Sequence, residues 1–570
     1  MHKHVRRIIS NETSITYCSK TIQNEIITLL ASSVRDDILE RTRKAKYFSI
    51  ILDCTFDISH KEQFSFTLRF VDIGDSDLKI KEHFITYQEI EESTGHSLYE
   101  IIKQLMNDFQ LNLDDCKGQG YDDGSNMLGK NKGVQARICK EYPRAFFVPC
   151  GCHSLNLVIG DAAISCTQST SFFGIVQRLY TFFSASVGRW KILTDNVPLS
   201  LKPLCETRWE SRIDCIKPLR FQITEIHDAL LQVHENSKDA GARHEAFTLP
   251  EQICEYSFLV LIVIWYDLLS HINIVSKALQ ANSMDLNNAV NLLQSCSKYL
   301  ENYRSNGFEK CLVDARELAE LVGTEHFIQK RIRRIKRQHD YEAIDDDVVD
   351  AKQHFKINVF NILVDQIKSF FVERFEQTND FLNNRGFLCN LKNNLNNDEL
   401  RKCCMNLHLL LKDQQKSDIN GTELMNEIIS FKNLISGNVN SPLEILNFIK
   451  INDLYTIMPN LWTTLKILLT IPVTVAACER SFSKLKLIKT YLRSTMTNER
   501  LNSLAILSIE KEVEKNINMT ENIQKFADLK ARKNHSIRYN GSVSKIANLG
   551  LPWLIVQSDC INVEIYFLGP

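Results

Sequence analysis

The sequence predicts an α/β protein in which a short series of strands and helices is followed by a much longer helical region. Two patterns support this prediction. Up to about residue 150 the apolar residues fall in short runs or alternate with polar ones, and beyond Trp209 they recur at helical spacing to about Glu510. The composition, 44% hydrophobic and 24% charged with 11 prolines, is that of an ordinary folded chain.

Seven elements are predicted in the first part, in the order strand, strand, strand, helix, strand, helix, strand. An amphipathic helix or helix pair over 21–46 precedes them. Turn residues separate the elements: Thr94 and Gly95 come before the first enclosed helix, and Gly124 and Gly129 before the second. The predicted strands are 47–52, 63–71, 78–87, 117–121 and 146–148, and the helices lie near 98–109 and 134–138.

Global properties narrow the class of protein. Because the formal net charge is only -1, any surface that binds nucleic acid must come from local clusters of Lys and Arg. The 17 cysteines are scattered and the N-terminus lacks the apolar stretch of a signal peptide, which predicts a nuclear or cytosolic protein. The apolar run 258–266 is about half of the roughly 20 residues that span a membrane, so we expect a buried core helix and no membrane partner.

A charged segment divides the helical region. The basic run 330–337, KRIRRIKR, is followed closely by the acidic residues 345–347. A solvated linker between two helical blocks is the simpler interpretation, and a nuclear-localisation or DNA-contacting segment is the alternative.

Two acidic residues follow strands in this order of elements. Asp53 comes after the first strand and Asp122 after the fourth. Strands one and four can lie side by side in such a sheet, so their carboxylates would meet. Cleavage of a phosphodiester with two Mg²⁺ or Mn²⁺ ions requires carboxylates converging on one point, with the ions roughly 4 Å apart. A single Asp after a strand is more often a turn or capping residue, and a third ligand would have to come from a helix.

Five segments in order resemble blocks of hAT transposases, specifically the subgroup related to zinc-finger MYM-type proteins. The last block continues into a segment similar to the C-terminal dimerisation region of that superfamily. The blocks are IILDCTFDIS (50–59), GQGYD (118–122), CGCHSLNL (150–157), CETRW (205–209) and ACERSFSKL (477–485), the last continuing to RLNSLA (500–505).

The resemblance implies a ribonuclease-H-like mixed sheet core that is interrupted by a large all-α insertion. The insertion would carry Glu479 back beside Asp53 and Asp122, and these three would be the catalytic residues and ligands of Mg²⁺ or Mn²⁺. Asp57 is the less favoured alternative for the first acid. Asp123 stands where the family usually has a small residue, which leaves the second acid open between Asp122 and Asp123. In the family such a triad serves DNA strand cleavage, hairpin formation and strand transfer.

The resemblance also implies DNA contacts. Arg208 and Trp209 match a pair that holds a distorted or flipped base, with a core tryptophan as the alternative. Cys150 and His153 match a Cys-x-x-His pair, and His153 would bond to DNA. Together with Cys152 they invite a zinc interpretation, but no second ligand pair stands nearby, so no zinc site is predicted.

A predicted C-terminal helix presents Leu501, Leu504, Ala505 and Ser508 on one face. This face either packs inside the monomer or forms a subunit interface, and the resemblance favours a homodimer or higher homo-oligomer. No zinc-binding module is expected before Asp53. We therefore expect a nuclear, transposase-derived protein that binds DNA and dimerises, with a non-catalytic, domesticated protein acting through dimerisation and DNA or chromatin binding as the alternative.

The expected domain boundaries follow from these blocks. They are an N-terminal helical segment at 1–46, the first part of the core at 47–210, the all-α insertion at 211–460, the rest of the catalytic fold with the dimerisation region at 461–533, and an unassigned tail at 534–570.

Overall fold

The computed structural model contains a five-stranded mixed sheet and many helices. Predicted elements are compared with it only where the chain is described. The structure describes residues 19–74, 77–122, 124–129, 131–204, 210–281, 284–324, 350–388, 391, 395–434 and 441–528.

The sheet has the strand order β3-β2-β1-β4-β5. The first three strands form two antiparallel hairpins, and β4 and β5 run parallel to β1. All five strands were predicted, and the expected neighbourhood of strands one and four is confirmed. The strands are β1 (Phe48–Phe56), β2 (Glu62–Asp72), β3 (Lys79–Ile90), β4 (Cys116–Gly120) and β5 (Phe146–Phe147).

β1 is longer than its apolar run. The prediction ended it before Asp53, but the strand continues to Phe56, because Asp53 still pairs with Ser65 of β2 and Phe56 pairs with Glu62. Asp53 therefore lies within β1, four residues after the fully buried Ser49. Pairing with a neighbouring strand, rather than apolar content, sets the end of this strand.

Both faces of β2 are buried. Phe64 and Phe66 pack on one side, as the alternating sequence predicts, and Ser65 and Thr67 on the other face are also buried. Polar groups inside a protein need partners. Ser65 bonds to Ser481 and Thr67 accepts from Cys478, so one helix from far along the chain supplies partners for this polar face.

Helices connect and flank the strands. Thr94 caps the helix before β4 by accepting a hydrogen bond from the Ser97 amide at 3.2 Å, as its position before Gly95 predicts. The helices up to residue 200 are α1 (Lys20–Ala45), α2 (Gly95–Asp108), α3 (Ser125–Leu128), α4 (Val134–Glu141), α5 (Gly151–Ala163), α6 (Thr167–Ser184) and α7 (Val187–Asn196).

The described residues between 210 and 470 are mainly helical. A two-stranded hairpin, β6 (Lys412–Asp413) with β7 (Lys416–Ser417), is the exception to the predicted all-α composition. The helices are α8 (Glu210–Phe221), α9 (Ile223–Asn236), α10 (Ala240–Ile253), α11 (Tyr256–Leu279), α12 (Leu286–Leu321), α13 (Ala351–Phe355), α14 (Ile362–Arg385), α15 (Asn397–Leu410), α16 (Gly421–Leu434), α17 (Pro442–Ile451) and α18 (Pro459–Thr470).

The apolar run 258–266 lies in α11 and is a core element, as predicted. Trp265 is fully buried, with its ring 4.9 Å from that of Phe173. Among the described residues, α11 is the one helix long and apolar enough to cross a membrane, and 67% of its most apolar window is buried inside the protein. Its apolar side chains pack against neighbouring helices such as α12 and α8.

The chain divides into two compact units. The larger comprises Leu39–Phe56 and Lys61–Phe482 and contains the sheet and the main hydrophobic core. The smaller comprises Asp57–His60 with the residues before Leu39 and those after Phe482. The last described helices are α19 (Ala476–Ile488), α20 (Asn498–Ile509), α21 (Lys511–Asn516) and α22 (Met519–Asp528).

Candidate active site

The pairing of β1 with β4 places Asp53 and Asp122 side by side. Ile51 and Gly120 are register partners in this parallel pair; Asp53 lies two residues farther along β1, and Asp122 lies two residues beyond the end of β4. The two carboxylates are close enough for the charge of Asp122 to raise the pKa of Asp53. The sequence prediction that these two acids meet is thus supported by the register.

Glu479 reaches the same region from α19. Its neighbours in that helix attach the first turn to the sheet: the Cys478 thiol donates to the Ile51 carbonyl at 3.3 Å, and Ser481 bonds to Ser65 at 2.9 Å. Cys478 and Ser481 lie three residues apart and therefore share one face of the helix. Glu479 itself is exposed, beside this anchored face.

The segment before α19 lies directly on the sheet. A Cβ atom at Gly120 would be 2.9 Å from Pro472 Cγ, and one at Gly118 would be 2.9 Å from Pro472 Cδ. The backbone of β4 can approach the proline ring this closely only because both residues lack a side chain. The glycines of the GQG segment thus bring the chain that leads to Glu479 against the strand that leads to Asp122.

The three carboxylates act on one another. Burial, followed by repulsion from Asp122 and then from Glu479, raises the pKa of Asp53 from 3.8 to about 8, although its Oδ1 accepts a 2.8 Å hydrogen bond from the Cys54 amide. Asp122 accepts a longer bond from the Gly124 amide, at 3.3 Å. A half-buried carboxyl with two carboxylate neighbours is an environment that favours a bound proton or a cation.

The donor set suits a hard divalent cation, but its arrangement is not that of a complete binding site. Carboxylate oxygens are the ligands that Mg²⁺ and Mn²⁺ prefer. Within the part of the chain that the structure describes, no three His, Cys, Asp or Glu side chains are placed to hold a metal ion. Asp123, the alternative second acid, lies outside the described residues. The site therefore fits the predicted metal by chemistry and not by ligand geometry.

Asp57, the alternative first acid, has another role. Its Oδ2 accepts a 2.6 Å hydrogen bond from the ammonium of Lys489, and its Oδ1 accepts one from the Ser59 amide at 2.7 Å. Both members of this ion pair are buried in the smaller unit. The pairing supports Asp53 as the first acid of the triad.

Cys150 does not lie where it could contact DNA. Its side chain is 1% exposed, and its sulfur caps α5 by accepting from the His153 amide at 3.5 Å. The same sulfur accepts from the Val475 amide at 3.4 Å, and the Gly151 amide donates to the Val473 carbonyl at 3.0 Å. The prediction of a DNA-binding Cys150 is corrected to a positioning role, in which the thiol ties the segment before α19 to the start of α5.

His153 lies in the first turn of α5 and is half-buried. Its turn adjoins the acids, since Glu479 contributes to raising the pKa of both Cys150 and Cys152. The Cys152 thiol donates to the Ser276 carbonyl at 3.7 Å within the core. Arg208 and Trp209, the other predicted DNA contacts, lie outside the described residues.

Sequence analysis missed the residues that position the acids. Gly118, Gly120 and Pro472 make the close backbone approach, and Cys478 and Ser481 attach α19. The paired glycines in a predicted strand were a usable signal, because glycine within a strand often marks close approach of another backbone. The distant partner Pro472 carried no such signal.

Known protein families match two separate regions of the chain, one in its N-terminal part and one in its C-terminal part. A family model described as "ZMYM1/FAM200, RNase-like domain" matches residues 2–133, and one described as "hAT family C-terminal dimerisation region" matches residues 423–513. The chain carries an RNase-like domain of the ZMYM1/FAM200 type and an hAT C-terminal dimerisation region. The predicted recognition is confirmed, and the matched RNase-like region contains the strands β1 to β4 together with Asp53 and Asp122.

Two curated relatives resemble this chain over most of its length. A human protein named "52 kDa repressor of the inhibitor of the protein kinase" is 24% identical over 543 residues, which is 90% of this chain and 68% of the relative. The mouse protein of the same name is 23% identical over 539 residues, with the same coverage. The hAT dimerisation region in this chain indicates self-association.

The predicted dimerisation face, which lies in the matched hAT dimerisation region, is partly internal. Leu501 and Ala505 on α20 are buried within the chain, whereas Leu504 and Ser508 are half-exposed. Core packing, the alternative left open by the sequence, therefore accounts for half of this face. Strongly exposed apolar side chains occur just before α20, with Tyr491 82% and Leu492 92% exposed.

Proposed function

We propose that this hAT-derived chain binds DNA and uses Asp53, Asp122 and Glu479 for metal-dependent cleavage and transfer of DNA strands. The observation that carries the proposal is the concentration of negative charge at Asp53, whose pKa two neighbouring carboxylates help to raise. Such strongly perturbed carboxyl groups cluster at functional sites. Bound Mg²⁺ or Mn²⁺ would supply Lewis-acid activation of water or of a DNA 3′-hydroxyl.

The residues of the chain have separate roles in this proposal. Asp53 lies within β1 and Asp122 follows its paired neighbour β4, whereas the exposed side chain of Glu479 extends from the attached first turn of α19 and can adjust to a cation. His153, together with Arg208 and Trp209, would contact the DNA. We also propose that the helices between about residue 211 and residue 460 form an insertion within the catalytic fold, which returns the chain to the sheet at α18.

A DNA-cleavage assay tests the proposal. The full chain is incubated with DNA carrying the inverted repeats that flank its gene and with Mn²⁺, beside Asp53→Asn, Glu479→Gln and the control Asp108→Asn, which changes an exposed acid at the end of α2. We expect wild type and Asp108→Asn to cleave, and each triad variant to lose at least about 100-fold in rate, as is usual when a catalytic group is removed. Equal cleavage by Asp53→Asn and wild type contradicts the proposal.

A non-catalytic function is the second candidate. It is favoured by the lack of a metal-ready ligand arrangement among the described residues. The name of the related human protein, a repressor, is also consistent with action through binding. DNA binding with no cleavage by wild type in either Mg²⁺ or Mn²⁺ would support this candidate and exclude the first.

Self-association is proposed to use the exposed apolar pair Tyr491 and Leu492, which lies within the matched dimerisation region. Charged substitutions at the centre of an apolar interface are strongly unfavourable. Sedimentation should show a dimer or larger oligomer for wild type and for the control Ile274→Asp on α11, and a monomer for Leu492→Asp. A wild-type monomer at micromolar concentration would contradict this part of the proposal.

Nuclear localisation is also proposed. The basic run 330–337 is suited to it by composition, although it lies outside the described residues. A fluorescent fusion should concentrate in the nucleus and should redistribute when Arg333 and Arg334 are changed to alanine. A cytosolic wild-type fusion would contradict the assignment.

A further inference from the structure

A group of cations surrounds Tyr47 at the start of β1. The ammonium nitrogens of Lys46, Lys117 and Lys466 lie 5.0, 5.3 and 5.7 Å from the centroid of its ring. Lys466 is also 5.8 Å from the ring centroid of Trp462. We call these five residues the Tyr47 cluster. It lies six residues before Asp53 on the chain, which is roughly 20 Å along an extended strand, so it is separate from the acidic site.

Lys117 is neutralised by neighbouring acids. Its ammonium lies 2.8 Å from Asp418 Oδ2, which also lies 3.0 Å from Arg144. Arg144 in turn pairs with Asp114 at 3.3 Å, and Lys416 reaches the same carboxylate at 3.5 Å. The acids beside Tyr47 are therefore already shared among several cations.

Lys466 has no such partner. Its side chain is buried, with the residue only 6% exposed, and among the described residues it contacts aromatic rings but no carboxylate or hydrogen-bond acceptor. Burial, followed by repulsion from Lys46, lowers the pKa of Lys466 to about 8. Contacts with ring faces recover only part of the cost of burying a lysine cation. A buried cation in this position is one that a bound anion would stabilise.

The charge balance of the cluster and its partial exposure to solvent both favour a bound anion. Five cations, on Lys46, Lys117, Arg144, Lys416 and Lys466, face three carboxylates, on Asp114, Asp115 and Asp418. Lys46 is exposed and Trp462 half-exposed, so solvent reaches one part of the cluster, whereas Lys466 is buried. The ring of Tyr455, 43% exposed, lies 5.8 Å from that of Trp462.

We propose that the Tyr47 cluster is a binding site for a phosphate group, held between Lys466 and Lys46 and bordered by Trp462. Lysine ammoniums are common phosphate ligands, and an adjacent exposed indole suits a base attached to that phosphate. The phosphate comes either from a nucleic-acid strand or from a free polyphosphate. The site is distinct from the acidic triad and does not depend on its activity.

Acylation of lysine amines at pH 8, read by mass spectrometry, tests the site in the full chain. Inorganic pyrophosphate is the first probe and a single-stranded oligonucleotide of about ten residues is the second. Labelling of Lys466 should fall in proportion to the unbound fraction, about tenfold at ten times Kd, while labelling of the exposed Lys298 on α12 stays constant. Protection at lower concentration by the oligonucleotide identifies a nucleic-acid strand, and protection by pyrophosphate alone identifies a free polyphosphate.

Variants separate binding from folding. Lys466→Met removes the buried charge and should keep or raise the melting temperature in the absence of ligand, because an unpaired buried cation is replaced by an apolar side chain of similar length. It should weaken pyrophosphate binding about tenfold or more, whereas Lys298→Met should bind as wild type does. Unchanged labelling of Lys466 with both probes, or equal pyrophosphate affinity of Lys466→Met and wild type, overturns the proposal.

Discussion

The ring of Pro472 lies on the backbone of Gly120, so closely that a methyl group at position 120 would be 2.9 Å from the proline Cγ. This contact joins the end of β4 to the segment that leads into α19. Asp122 lies two residues after Gly120, and Glu479 seven residues after Pro472. The packing of one proline on one glycine therefore holds together the two segments that lead to two acids of the proposed triad.

Gly120→Ala should disturb the site more than the small size of the added methyl group suggests. The added methyl group must push Pro472 and β4 apart, and overpacking of this kind costs about 1–3 kcal/mol of stability. Gly174→Ala is the matched control, since nothing lies within 4 Å of a Cβ there and the exposed position inside α6 should gain roughly 0.5–1 kcal/mol. Chemical denaturation measures both changes. A Gly120→Ala protein as stable as wild type would show that the contact is loose.

The Asp53 carboxyl should make stability fall as the pH rises. Because its pKa is about 8 in the folded chain and 3.8 as an ordinary Asp, the folded state holds the proton more tightly, and the unfolding free energy declines between about pH 4 and pH 8. Asp53→Asn removes this decline. The variant should be more stable than wild type at pH 8, by about 1–2 kcal/mol after allowance for solvent screening of a half-exposed group, and the gain should vanish near pH 4.

Denaturation curves at several pH values check this prediction. Mn²⁺ gives an independent measurement, because binding to wild type should release a proton below pH 8 and Asp53→Asn should bind weakly. A gain in stability that does not depend on pH would assign the effect of Asp53→Asn to something other than ionisation.

The buried pair of Lys489 and Asp57 should be necessary for the smaller unit to fold stably. Lys489→Met leaves the Asp57 carboxylate buried without its cation, which typically costs about 3–5 kcal/mol. The exposed pair Lys525 and Glu521 on α22 is the control, where Lys525→Met should leave the stability nearly unchanged. Thermal unfolding distinguishes the two. Similar small losses for both variants would contradict the structural role of the buried pair.

Cys150 should be unreactive in the folded chain. Burial raises the pKa of its thiol well above the usual range, and its sulfur is occupied by two amide donors. Iodoacetamide at pH 8 should label the half-exposed Cys166 while leaving Cys150 unmodified until denaturant is added. Cys150→Ser, which keeps a capping oxygen, should cost less stability than Cys150→Ala, for which about 1 kcal/mol is expected. Rapid labelling of native Cys150 would restore it as a DNA-contact candidate.

Much of the sheet could be predicted from local patterns. The five strands and the enclosed helices follow from short-range alternation and from turn residues such as Thr94, and the neighbourhood of Asp53 and Asp122 follows from the strand order. The length of β1 was underestimated because its last residues are held by Glu62 and the rest of β2 rather than by their own apolar character. The roles of Cys150 and Asp57 also depend on partners far away in sequence, Val475 and Lys489.

The sequence by itself determined the elements, the order of the acids and the resemblance to hAT proteins, because periodicity and motifs are local properties that survive without a structure. Only the tertiary structure decided which side chains share a site: Pro472 on Gly120, the Cys478 thiol on the Ile51 carbonyl, and the cations around Tyr47. Contacts of this kind join residues hundreds of positions apart. Their energies depend on burial and mutual distance, which no local pattern encodes.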